Sequence, residues 1–472
     1  MTKFLPLTLI LFLLTGRCMA QPFSAPVIID SNTGNEPYEI EAGDLDGDGD
    51  LDLVIGTYDA VANPPLDFVK WYSNDGSGSF TFESTLSSDI TFIDGLAVGN
   101  IDNLFGEDVI VASANQNKIS VFLSDGSGGF GSEIVLDPAL NGVGEIIVSD
   151  INMDGNLDVV AVAFTDDKTV WYNNDGTGNF SAAIDIEAGS GNNPYYLDVA
   201  DYDNDTDMDV VISYFTTQSI EIFYNQYIES GTSTVSWIKD MVTVEDEVTP
   251  SRHLEVRFAD ANNDGNLDVV KLDNEGEVSW YDKTVDGASA EIVICPASIV
   301  ARPGAFEVVD LDGDTNNDIV ITDGSTGSDA IIYFEGNNNA TFNTDETVIT
   351  DNNWINFDFS VADFDSDGDM DIAFLGNNNA RLAIYDNERI TLSTNSLKQT
   401  EISVYPNPTS KFINIDGFTS ETLDIQIFDM VGKSVLATSI SRKGRINVSQ
   451  LETGIYTLKI GNSSVRKKFI KQ

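Results

Sequence analysis

Disulfide chemistry is excluded at the outset. The 472-residue sequence has two cysteines, Cys18 and Cys295, and the first lies in a leader-like stretch. One thiol then remains, so no internal disulfide can form. Cys295, in the run AEIVICPASIV, reads as a buried small hydrophobe rather than a nucleophile. Histidine is scarcer still, with His253 alone, and no zinc-ligand spacing, nucleophile motif or phosphate-binding loop is present. Basic residues are few. Residues 21–400 hold 12 Lys+Arg against 71 Asp+Glu, a net of −59, whereas 401–472 hold 10 against 6. A surface so acidic repels nucleic acid and anionic membranes and suits polyvalent cations. It is nevertheless not a disordered acidic chain, because 42% of the residues are hydrophobic.

Long apolar runs are confined to the start. Lys3 precedes FLPLTLILFLL, and a short polar region ending in CMA follows before Gln21. A membrane span needs ~20 residues, so this run is too short to anchor. The layout is that of a secretory signal peptide, residues 1–20, with cleavage expected after Ala20. Arg17 stands where a lipoprotein signal needs a small residue before Cys18.

What is abundant is a nine-residue acidic stretch. DLDGDGDLD begins at Asp44, and related stretches begin at Asn100, Asp150, Asp201, Asp260, Asp310 and Asp363. The spacing is 50–59 residues. Most of the stretches follow an alternating segment (YEIEAG, YYLDVA, LEVRFA), and each precedes an apolar β-rich run (LVIGTY, VVAVA, IVITD). A third run follows, and several units add a turn and a fourth. Period-2 alternation, β-branched residues and Asp-Gly turns predict four strands per unit, the content of a β-propeller blade. The expectation is an all-β, seven-bladed β-propeller over 21–387. The seventh unit stops after its third strand, near Asp386. Its fourth is expected from residues 22–30, because PFSAPVIID resembles the fourth strands GFGSEIVLD and NFSAAIDIE.

Within the stretch, positions 1, 3 and 5 present oxygen side chains on one side of a tight turn, and Gly at position 6 permits the bend. The position 7 carbonyl and the position 9 carboxylate can complete an oxygen cage, the donor set of calcium. Position 12, Glu in an EF-hand, is Ile55 or Ala161 here, inside a strand. The first loop offers Asp44, Asp46, Asp48, Asp50 and Asp52; the third Asp150, Asn152, Asp154, Asn156 and Asp158. The fourth offers Asp201, Asp203, Asp205, Asp207 and Asp209; the fifth Asp260, Asn262, Asp264, Asn266 and Asp268. The sixth offers Asp310, Asp312, Asp314, Asn316 and Asp318; the seventh Asp363, Asp365, Asp367, Asp369 and Asp371. Thr206 and Thr315 replace the position 6 glycine in the fourth and sixth. The second copy has Leu104 and Phe105 at positions 5 and 6, which leaves Asn100, Asp102 and Asp108 as relics of the turn. About six calcium sites are expected.

These loops resemble the FG-GAP/VCBS repeat family, calcium-loop propellers that include the integrin α-chain head. The resemblance covers about 365 residues. It implies that each loop joins the first and second strands of a blade and that its ion is structural. After a polar linker, 388–400, the residues 401–472 form several short strands, consistent with a small Ig-like β-sandwich. YPNP, LETGIY and a basic end, KKFIKQ, occur there in order. This resembles the type A C-terminal sorting domain of type IX secretion. It implies contact with that secretion machinery and release to the medium or the outer surface of a Gram-negative bacterium.

If the loops occupy one face, the connections entering the innermost strands ring the channel on the other. They contain Tyr38, Asp94, Asn141, Tyr195, Tyr196, Arg252, His253, Arg302 and Trp354. Aromatic, Arg and amide groups round a concave centre suit a sugar or a peptide. Two readings follow. One is a non-catalytic adhesion module for an extracellular glycan or protein. The other is a polysaccharide lyase, with His253 or Tyr195/Tyr196 abstracting the proton α to a uronate carboxylate and Arg252 or Arg302 neutralising it.

Overall fold

The computed structural model describes residues 23–34, 37–57, 67–104, 106–230, 234–241, 253–282, 291–296, 303–323, 330–337, 341–343, 347–350, 358–376 and 380–388, and, further on, 403–405, 408–416, 422–428, 433–441, 445–451, 453–460 and 466–472. The leader lies outside them. The chain divides after Ile390 into two compact units.

The first unit is a β-propeller. Among the described residues it holds seven four-stranded antiparallel sheets. Six are continuous in sequence, beginning with the innermost strands Pro37–Gly43, Ile93–Gly99, Val143–Ser149, Pro194–Ala200, His253–Ala259 and Pro303–Val309. The last runs from Phe359–Ala362 through Asp371–Gly376 and Arg381–Tyr385 to Val27–Asp30. There Val27 pairs with Ile384 and Ile28 with Ala383.

Stacking explains the apolar runs. A strand inside a sheet with neighbours on both faces is buried on both, so alternation in sequence disappears. The second strands Asp52–Thr57, Asp108–Ser113, Asp158–Ala163 and Asp209–Tyr214 are buried at every position. Alternation survives in space. Leu53 and Ile55 pack against Ala373 and Leu375 of the last sheet, whereas Val54 packs against Val109 of the second. Val159 and Val160 divide likewise between Ile110 and Val210. The same pattern continues through Val211 with Val269, Val270 with Ile319, and Val320 with Ile372. The core is therefore a closed series of interfaces between sheets, not one central mass.

Polar clasps reinforce the interfaces at the loop end. Asn174, which ends a third strand, donates its side-chain amide to the Leu157 carbonyl of its own sheet (2.9 Å) and to the Ile101 carbonyl of the preceding loop (2.7 Å). Asn225 reaches Ile151 (2.9 Å) and Asn387 reaches Leu311 (2.8 Å). Ser124 reaches Leu45 through its hydroxyl (2.7 Å). Asn74 links the first sheet to the Phe364 carbonyl of the last (2.7 Å) and to Leu51 (3.0 Å).

The second unit stands on its own core. A three-stranded sheet (Ser403–Tyr405, Phe412–Asp416, Arg445–Asn447) and a four-stranded sheet ordered Ser434–Ser441, Thr422–Phe428, Gly454–Ile460, Arg466–Lys471 enclose Ile413, Ile427, Ile446, Leu458 and Phe469.

The clasp predicts that Asn74→Ala, which removes two side-chain hydrogen bonds and leaves the Phe364 carbonyl only its contact with Gly78 N (3.2 Å), lowers the unfolding free energy by about 2 kcal/mol. Denaturant titration checks this; an unchanged midpoint would show that the clasp contributes nothing.

Candidate functional site

Each acidic loop leaves an innermost strand, and its position 9 aspartate begins the second strand. The turn is built from carboxylates accepting backbone N–H groups. In the third loop Asp154 N donates to Asp150 Oδ1 (3.0 Å) and Gly155 N to Asp150 Oδ2 (2.8 Å). The fifth, sixth and seventh loops repeat both contacts at 2.9–3.0 Å. Position 9 ties the turn to the sheet. Asp52 Oδ2 accepts from Leu45 N (2.9 Å) and Oδ1 from Asn74 N (2.8 Å). Asp108 does the same with Ile101 and Ser124, both at 2.7 Å, although its loop has lost position 5. The second loop keeps its terminal aspartate for this reason, while Leu104 stands 63% exposed at the tip.

Thr206 and Thr315 adopt the left-handed φ of the glycines they replace, 87° and 77° against 88° at Gly155. The turn is thus conserved in shape in both copies, at the cost of strain for a β-branched residue.

Carboxylate oxygens converge to within 4.8 Å of one another in Asp44/Asp46/Asp48, Asp201/Asp203/Asp205, Asp310/Asp312/Asp318 and Asp363/Asp365/Asp371. Asp44 Oδ1 and Asp205 Oδ2 are buried there without a hydrogen-bond partner. Unpartnered oxygens in a hard, all-oxygen donor set fit a divalent cation such as calcium. The third and fifth loops carry Asn152 and Asn262 at position 3 and so have three acids, not four, among positions 1, 3, 5 and 9. In the third loop the position 7 side chain faces the neighbouring loop: Asn156 Oδ1 accepts from Asn103 (2.9 Å). Glu335, at the end of a third strand, converges with Asp312 and Asp314 and was not visible in the loop pattern. Burial lifts the position 9 carboxyls of Asp52, Asp158, Asp209, Asp318 and Asp371 to about 7, against the pull of the N–H groups they accept.

The other end of the channel differs. On each innermost strand the residues four before the loop (Ile40, Leu96, Ile146, Leu197, Val256, Phe306) pack on the preceding sheet. Those five and three before it turn toward the following strand and the channel. They include Glu39, Glu41, Glu145, Asp198, Glu255, Arg257, Glu307 and Asp358. Some caps are structural. The inner edge of an innermost strand has unpaired N–H groups, and Asp358 accepts from Ile40 N (2.9 Å), Asp198 from Phe258 N (2.7 Å) and Glu255 from Phe306 N (3.1 Å). Arg257 pairs with Glu255 (2.6 Å) and Glu307 (3.3 Å). Glu39, Glu41, Glu145, Glu255, Arg257 and Asp358, with Tyr38, Tyr195 and Tyr196, line a cavity of about 200 Å³ near the strands' N-terminal ends, away from the loops. Burial, then repulsion from Asp358, pushes Glu41 up to about 8, and burial lifts Asp94 and Asp358 to about 7.

Of the mouth residues expected from sequence, Tyr38, Tyr195 and Tyr196 line this cavity. Tyr195 is 37% exposed and its ring lies 5.2 Å from Tyr196, 5.8 Å from Phe215 and 6.1 Å from Phe164. Asp94 acts electrostatically on Tyr38 and Glu39. Asn141 points elsewhere and donates to Asp166 in the adjoining turn (2.9 Å). His253 opens the fifth innermost strand, paired with Asp273. Arg252, Arg302 and Trp354 lie outside the described residues. The acidic wall was legible in principle, as a charge recurring five and three residues before the loops.

An acid whose folded pKa is raised binds more protons folded than unfolded, so stability falls as pH rises between the two values. With the loops saturated by calcium, the melting midpoint is expected to fall as pH rises from about 4.5 to about 8, the window set by Glu41. Glu41→Gln should raise the midpoint at pH 8 and flatten that slope; a steeper slope would contradict the assignment.

A family model described as FG-GAP-like repeat matches residues 150–212 and 310–374, each match starting on the first residue of a loop. One described as secretion system C-terminal sorting domain matches 403–472. Curated protein sequences include no match. Among solved structures, similarity extends to an Agrocybe aegerita lectin that recognises non-reducing terminal N-acetylglucosamine (17% identity, 67% of this chain and 81% of that one, TM-score 0.48). It extends also to the Pseudomonas aeruginosa periplasmic gluconolactonase PpgL (10% identity, 67% and 100%, TM-score 0.45) and to the Dos1 propeller (12% identity, 71% and 75%, TM-score 0.45). This chain is a β-propeller with FG-GAP-like repeats, followed by a secretion system C-terminal sorting domain.

Proposed function

We propose that this protein is a binding or adhesion module, stabilised by calcium in about six loops and presented outside a Gram-negative cell. The sorting domain implies export to the medium or the cell surface. The ligand, a glycan or a protein, meets the channel mouth. One observation carries the reading: an open, tyrosine-lined cavity lies at the end of the channel away from the loops, where an exposed Tyr195 offers a ring to solvent. Aromatic faces beside a few convergent polar groups are the usual make-up of a small recognition site.

The lyase reading is disfavoured by charge. A uronate polymer would approach Glu39, Glu41, Glu145 and Asp358, and the arginine in that wall, Arg257, is already held by Glu255 and Glu307. The cleft offers an anionic substrate no uncommitted cation among the described residues, and carboxyls already lifted by burial and by one another would be lifted further.

Two measurements test the proposal. Chelation should lower the melting midpoint and millimolar calcium restore it, since each site at a hundredfold excess over Kd adds roughly 2.7 kcal/mol. An unmoved midpoint would remove calcium from the account. On glycan and protein arrays, the ligands retained by the calcium-loaded protein should be lost in Tyr195→Ala at unchanged melting midpoint. Retention of every ligand by that variant would move the site away from the mouth.

A further inference from the structure

The cavity's shape and charge narrow its ligand. Its 200 Å³ falls short of the roughly 300–1,000 Å³ of pockets that engulf a whole small molecule. It has room for one side-chain-sized group. Its wall is acidic and incompletely neutralised: Arg257 is engaged by Glu255 and Glu307, whereas Glu39, Glu41 and Glu145 have no hydrogen bond or ion pair among the described residues. A metal ion does not answer this arrangement. Among the described residues, the acidic groups whose oxygens converge to within 4.8 Å all involve the loops, and none lies in the channel. Dispersed carboxylates suit a cation that carries several N–H donors. The protein itself places a guanidinium in this wall.

Depth selects further. Tyr195 stands six residues before its loop, Glu39 and Glu145 five before theirs and Glu41 three. At about 3.4 Å per residue the first pair of carboxylates lies just inside the aromatic rim and Glu41 roughly 10 Å inside it. A charge at the end of a flexible stem enters between the first pair with Glu41 drawing it inward, a reach that an ammonium fixed to a sugar ring lacks. The rings of Tyr195 and Tyr196, edge to face with one another, line the cavity, where a cation and its methylenes gain from aromatic faces.

We propose that the channel mouth receives a lysine or arginine side chain of a protein ligand, its charged head between Glu39 and Glu145 and its stem against Tyr195 and Tyr196. This rests on the mouth being the ligand site.

Titration calorimetry of the full mature chain in millimolar calcium and physiological salt tests it, with a four-lysine peptide as probe. The expected result is one site per chain, weakened about tenfold or more by Glu39→Gln/Glu145→Gln, as loss of charge-assisted hydrogen bonds requires. Tyr195→Ala should also weaken it. The surface pair Glu83→Gln/Asp89→Asn removes the same charge elsewhere and should change affinity less than about twofold. The channel variant should melt at or above the parent, because it removes two carboxyls that burial and then neighbouring acids disfavour. Equal weakening by the channel and surface pairs would reduce the effect to diffuse attraction and overturn the proposal. Tighter binding of a glucosamine tetramer than of the peptide would overturn it in favour of an amino sugar. If an array ligand needs Tyr195 but tolerates Glu39→Gln/Glu145→Gln, the mouth stands and the cation falls. If no ligand depends on Tyr195, the mouth itself falls.

Discussion

A buried aspartate at the head of each second strand is the constraint on which the propeller rests. Asp52, Asp108, Asp158, Asp209, Asp268 and Asp318 have no exposed surface, and Asp371 is 1% exposed. A buried carboxylate is tolerated only when hydrogen bonds or opposite charge replace its water. Two backbone N–H groups supply part of that, one from the loop and one from the end of the third strand, as at Asp52 and Asp108. The aspartate therefore fixes the loop, the second strand and the third strand together. With the third strand set, its terminal asparagine or serine reaches the carbonyl of the preceding loop. One residue type at one position thus organises both the blade and its neighbour.

The acidic residues fall into two populations with opposite logic. In the loops, oxygens converge into small all-oxygen turns that could hold a divalent cation. In the channel they are spread over successive strands. There the repulsion is resolved by edge N–H groups, by Arg257 and by raised pKa values. Similar side chains give a tied frame at one end and an acidic opening at the other.

The sequence makes the frame easy to read and the opening hard. The loops stand out because position 9 begins every second strand, so one motif fixes two strand boundaries and the spacing between blades. The continuous apolar runs at LVIGTY and VVAVA are equally plain, being buried on both faces. The channel wall is different. Glu39, Glu145 and Glu255 read as the polar half of ordinary alternation, which a solvent-facing strand would also show. What turns that half inward is the packing of Ile40, Ile146 and Val256 on the preceding sheet, a tertiary fact. Asn141 shows the reverse: a residue at the right place in the connection, captured by the neighbouring Asp166.

Val27–Asp30 is the outer strand of the sheet that also holds Arg381–Tyr385. A pairing between Val27 and Ile384 closes a loop of more than 350 residues, and contacts so distant in sequence are made late and slowly. Until they form, Val27 and Ile28 remain an unpaired hydrophobic segment beside an open sheet edge, a template for pairing with another chain. The acidic surface keeps such unfinished chains apart by mutual repulsion. Charge on this protein therefore bears on its folding as well as on its loops.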